Sequence, residues 1–79
     1  MNNKKLQLFA KDIIKEKLGF EVSSTRIDLL ESAENGDAVE YLLFRRRAIK
    51  HIEYAARLEK GKYTLEIFNT ANDTEIYFD

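Results

Sequence analysis

The hydrophobic positions of the chain change period part of the way along it. Leu6, Phe9, Ala10, Ile13 and Ile14 recur at the three-and-four spacing of one helical face, while Lys11, Lys15 and Glu16 fall elsewhere on the wheel. This predicts a helix over residues 4–18. Asn3 is placed to cap its start, and Gly19 to end it. The apolar runs then shorten. Val22, Ile27, Leu29 and Leu30 lead to Glu34-Asn35-Gly36-Asp37, and a second run follows from Ala38 to Phe44. Asn-Gly between two apolar runs predicts an antiparallel hairpin, because both residues tolerate positive φ. After Gly61 the pattern alternates strictly. Tyr63, Leu65 and Ile67 oppose Lys62, Thr64, Glu66 and Phe68; residues 69–73 form a turn; and Ile76 and Phe78 return against Glu75 and Tyr77.

The stretch from Arg45 to Gly61 fits both periods. As a helix, it puts Ala48, Ile49, Ile52, Ala55 and Ala56 on one arc, and Arg47, Lys50, Glu53, Arg57 and Lys60 mainly on the other. Gly61 would then be the left-handed residue after the helix, although no Ser, Thr, Asp or Asn at 44–47 marks a beginning. As a strand, Ile52, Tyr54, Ala56 and Leu58 alternate with Glu53, Ala55, Arg57 and Glu59, and Lys60-Gly61 is a turn.

The helical reading is preferred. It makes the chain an α+β fold in which a helix-strand-strand unit is used twice (αββαββ), a four-stranded antiparallel sheet with both helices on one face. The strand reading gives an N-terminal helix on a five-stranded meander. A third arrangement follows from the capping-box spacings Thr25 to Asp28 and Asp37 to Glu40, which would make 26–34 and 38–60 helical and the fold winged-helix-like.

Composition narrows the function more than the fold. With 79 residues, 44% hydrophobic and 34% charged, the chain is expected to fold as one small globular domain, 1–79. A formal net charge of −1 gives no global attraction to nucleic acid, so any electrostatic function must be local. Absence of cysteine removes disulfides, thiolate nucleophiles and cysteine metal sites, in keeping with a cytoplasmic setting. No apolar run approaches the roughly 20 residues of a membrane span. A proline-free chain rich in Lys, Glu, Ile and Asn suits a bacterial or phage protein.

Two clusters stand out as candidate sites. Arg45, Arg46 and Arg47, with Lys50 and His51 beyond, form the one dense positive patch, fit to contact phosphates or an acidic partner. A lone histidine cannot build a histidine metal cluster, and neither calcium-loop spacing nor a phosphate-cradling glycine loop is present. The second cluster is apolar: Leu42, Phe44, Phe68 and Tyr77 are expected on the uncovered sheet face, where they would form an interface. The expectation is a small non-enzymatic, accessory or inhibitor-like module that needs no cofactor, works away from membranes and binds another protein, or a second copy of itself, through that face. Nucleic-acid binding through Arg45, Arg46 and Arg47 is the alternative.

Overall fold

Helix α1 spans Asn3–Leu18 in the computed structural model, which describes residues 2–79. Asn2, one residue before the expected cap, accepts a 2.9 Å hydrogen bond from the Lys5 backbone N–H through its side-chain oxygen. Gly19, at φ 80°, ends the helix and donates its N–H to the carbonyls of Ile14 and Lys15. The buried stripe is Leu6, Ala10, Ile13 and Ile14, as the spacing predicts.

A short 3-10 turn at Ser24–Arg26 leads into five strands, β1 Ile27–Asn35, β2 Ala38–Arg46, β3 Ile52–Glu59, β4 Lys62–Asn69 and β5 Thr74–Phe78. They pair in chain order as one antiparallel meander. The α+β class holds, and the architecture is the single helix on a five-stranded meander. The αββαββ layout and the winged-helix-like arrangement are corrected by the same finding: residues 52–59 are a strand, and so are 27–35 and 38–46.

The reason lies in the position of β3. Tyr54, Ala55 and Ala56 are consecutive and all buried: Tyr54 and Ala56 belong to the core cluster, while Ala55, on the other face, is small enough to lie below the side chains of its neighbours Leu43 and Glu66. A strand that alternates apolar with small apolar residues resembles a helix on a wheel. The turn after it completes the resemblance. Lys60 and Gly61 have φ of 52° and 78°, the two consecutive positive values that a two-residue type I′ turn requires, and Glu59 pairs with Lys62 across it. A glycine at positive φ ends helices and closes hairpins alike. At the first hairpin Asn35 pairs with Ala38, leaving Gly36 and Asp37 as the turn residues, with Gly36 at φ 63°.

Two register shifts set which side chains face the helix. Leu30 is an extra residue in β1, since Leu29 pairs with Phe44 and Glu31 with Leu43; Glu40 is an extra residue in β2, since Ala33 pairs with Tyr41 and Glu34 with Val39. Val39 and Leu42, three apart, therefore both enter the core. Phe44 and Tyr54 are cross-strand partners whose rings stack at 5.2 Å with an 11° interplanar angle. Phe9 meets Tyr63 edge-on at 4.8 Å, and the Tyr63 hydroxyl donates to the Val39 carbonyl at 2.6 Å. Gln7 donates from Nε2 to the Ile27 carbonyl at 3.0 Å, pinning the front of α1 to the start of the sheet.

Candidate functional site: the open sheet face and its arginine end

No helix covers the second face of the sheet. Strand alternation and the register place Tyr41, Leu43 and Arg45 of β2 there, with Glu53, Ala55 and Arg57 of β3, Thr64, Glu66 and Phe68 of β4, and Glu75 and Tyr77 of β5. Small residues sit at its centre. Ala55 has no exposed surface although it faces outward, its register neighbours being Leu43 and Glu66. Arg57 lies across its strand partner Tyr41, with the guanidinium carbon 4.7 Å from the ring centroid, and its Nε donates to Glu66 Oε1 at 3.1 Å. Burial pushes the Tyr41 phenol above its ordinary value; Arg57 opposes this, and Glu31, Glu66 and Glu53 add to it.

Beside this cluster, toward the β4–β5 turn, a recess of about 400 Å³ opens on the face. Tyr41, Leu43 and Phe68 supply its apolar lining, and Glu53, Asp73 and Glu75 its carboxylates. Asn69 and Asn72 brace the turn: their side-chain oxygens accept the backbone N–H of Ala71 and of Thr74 at 3.0 and 3.2 Å. The wall of the recess is thus held by hydrogen bonds within the turn itself.

Two of the four expected interface residues are elsewhere. Leu42 and Phe44 have no exposed surface and belong to the core under α1, whereas Phe68 and Tyr77 lie on the open face, Tyr77 with 53% of its surface exposed. The run Tyr41-Leu42-Leu43-Phe44 is apolar on both faces, so alternation alone does not give its phase, and the extra residue Glu40 shifts it relative to Val39. The open-face residues of that run are Tyr41 and Leu43.

The arginines are spread by the end of β2. Arg45 reaches the open-face side, where its Nε is 3.7 Å from Asp28 Oδ2; Arg46, paired with the core residue Ile27, turns to the helix side, its guanidinium carbon 5.4 Å from the Phe20 ring centroid. Arg47 begins the β2–β3 loop and donates from Nε to Asp28 Oδ1 at 3.0 Å. Lys50 and His51 are exposed in the same loop, not on a helix; the His51 carbonyl accepts from the Thr70 N–H at 2.8 Å and from its hydroxyl at 3.1 Å. Arg26, which the sequence did not single out, is brought next to Arg47 by a 2.9 Å bond from the Arg47 N–H to the Arg26 carbonyl. Only the pairing of β1 with β2 makes these residues neighbours.

Among the described residues no group of three or more His, Cys, Asp or Glu is placed to hold a metal ion, and no helix is long and apolar enough to cross a membrane. No family model, curated protein or solved structure is significantly similar to this chain.

Proposed function

We propose that this protein is a non-enzymatic binding module whose open sheet face receives a basic surface or segment of another protein. The observation that carries the reading is the recess beside Tyr41, Leu43 and Phe68, an apolar floor ringed by Glu53, Asp73 and Glu75. A lysine or arginine side chain suits it: the aliphatic stem covers the floor while the cation meets carboxylates and a tyrosine ring. The charges around it point the same way. Arg57 is engaged by Glu66, and Arg45 lies against Asp28, so Glu31, Glu53 and Glu75 leave the face negative.

Charge also separates this reading from self-association through the same face. A two-fold dimer sets one patch against its own copy, which would bring these carboxylates together. A basic partner gains from the same field. The two sheet edges are poor alternatives for the contact: β1 carries an extra residue and exposed Glu31 and Glu34, and β5 is only five residues long with Glu75 on it.

The test is an NMR titration of the isotope-labelled protein with a ten-residue peptide alternating Lys or Arg with Leu, beside a Glu-for-Lys counterpart. The basic peptide should bind and shift Tyr41, Leu43, Glu53 and Phe68, and a Glu53→Lys, Glu75→Lys double variant should lose the interaction. Equal response to both peptides, or shifts gathered on α1, would overturn the proposal.

A further inference from the structure

A second cleft of about 400 Å³ lies at the other side of the β2 end, between the segment before β1 and the start of the β2–β3 loop. Arg26, Arg46 and Arg47 line it, with Val22 and Ala48 as apolar wall and Glu21 at its edge. We propose that this cleft binds the phosphate of a nucleotide, free or within a nucleic-acid strand, chiefly through Arg26 and Arg46, with Arg47 held at its side by Asp28.

The charge balance at this end of the sheet is the main argument. Four guanidinium groups, those of Arg26, Arg45, Arg46 and Arg47, gather where β1 and β2 begin and end, and Asp28 serves both Arg45 and Arg47. Arg26 and Arg46 have no carboxylate within 4.0 Å among the described residues, and Glu21 is approached instead by Lys11 and Lys15 at 3.7 and 3.8 Å. The protein's own acids therefore leave the cleft positive in a chain whose net charge is −1. A bound phosphate relieves the repulsion among the arginines and offers oxygens that guanidinium forks match.

The Arg46 side chain and the backbones of Arg26 and Arg47 are held before any ligand arrives. Arg46 lies over the Phe20 ring, which limits where its guanidinium can go, and the Arg47 N–H to Arg26 carbonyl bond fixes the two backbones side by side. The volume lies within the ~300–1,000 Å³ range of small-ligand sites, which is roomier than a bare phosphate needs. Phe20, 37% exposed, touches the cleft only through Arg46. Arg45 does not line the cleft and stands outside the site.

The assignment is tested by measuring binding of ATP, and of a labelled mixed-sequence ten-nucleotide single-stranded RNA, at low and moderate salt. The proteins are the wild type and the Arg26→Ala, Arg45→Ala and Phe20→Leu variants, each checked for an unchanged thermal melt. Arg26→Ala should weaken binding roughly tenfold or more, as expected for losing a charged hydrogen-bond donor, while Arg45→Ala changes it less than about twofold. Phe20→Leu keeps the apolar bulk but loosens Arg46, so it should fall between them. RNA binding that is tighter than ATP binding and falls steeply with salt identifies the strand as the source; ATP bound as tightly as RNA identifies the free nucleotide. Absence of binding by either probe at low salt, or equal losses in the Arg26 and Arg45 variants, overturns the proposal. The experiment reads nucleotide and RNA binding and not the binding of a basic peptide, so the two readings stand or fall separately.

Discussion

Replacing Phe44 by alanine should cost about 3–5 kcal/mol of folding stability, while the same change at Phe68 should cost about 1 kcal/mol. The difference follows from where β2 and β4 point these rings. Phe44 has no exposed surface, packs in the core cluster with α1 and stacks on Tyr54, whereas Phe68 is half-buried on the open face. Truncating a fully buried phenylalanine removes on the order of 100–150 Å² of apolar contact, or about 2.5–4 kcal/mol at 25 cal/mol per Å². Loss of the stacked ring pair adds about 0.5–1.5 kcal/mol. A domain of 79 residues has a total stability of only about 4–12 kcal/mol, so the Phe44 variant would be close to unfolding. At about 4–8 °C per kcal/mol, its melting temperature should fall by at least 12 °C. Urea titrations followed by far-ultraviolet circular dichroism read both variants on one scale. Should Phe44→Ala not fold at all, Phe44→Leu gives the milder version, expected to cost about 1–3 kcal/mol from the lost ring stacking and the smaller volume. Equal midpoints for Phe44→Ala and Phe68→Ala would mean that β2 is phased the other way, and the description of both faces would fail with it.

Two further outcomes follow from local geometry. Lys60 occupies the left-handed region at φ 52°, which asparagine tolerates better, so Lys60→Asn should raise stability by about 0.5–1 kcal/mol, read as a higher melting temperature; a decrease would contradict the type I′ turn. Tyr41 is expected to ionise above the ordinary phenolic value of 10.0, because burial disfavours its phenolate and Glu31, Glu66 and Glu53 repel it. Its raised value makes the associated stability complete below pH 10.0 and lost as the pH climbs through the folded-state midpoint. Phenolate absorbance of the wild type minus that of Tyr41→Phe isolates this group, and a midpoint at or below 10.0 would refute the burial of its phenol. Since Arg57 acts against the shift, Arg57→Gln should move the midpoint further up.

The local pattern was enough for the helix and the two hairpins that flank the ambiguous stretch. Spacing of Leu6, Ala10, Ile13 and Ile14 determined α1 and its buried stripe, strict alternation after Gly61 determined β4 and β5, and Asn35-Gly36 determined a first hairpin. In α1 and in the β4–β5 hairpin the residues carry one period, and at the first hairpin the Asn35-Gly36 turn signal outweighed the competing capping-box spacings. Residues 52–59 carry two periods, because Ala55 and Ala56 are small and apolar enough for a helix face and for either face of a central strand. Only the pairing of β3 with β2 and β4 selected the strand, by giving its backbone groups partners on both flanks. The same holds for the sites. Tyr77 and Phe68 were legible on the open face from alternation, but Leu42 and Phe44 were not separable from Tyr41 and Leu43 until the extra residue Glu40 set the phase of β2. The arginine run announced itself in the sequence; Arg26 became its neighbour, and Arg45 left it, through the β1–β2 register alone. A one-dimensional pattern reports which side chains prefer burial, while which faces meet, and which charges are left uncompensated, depends on contacts between residues far apart in the chain.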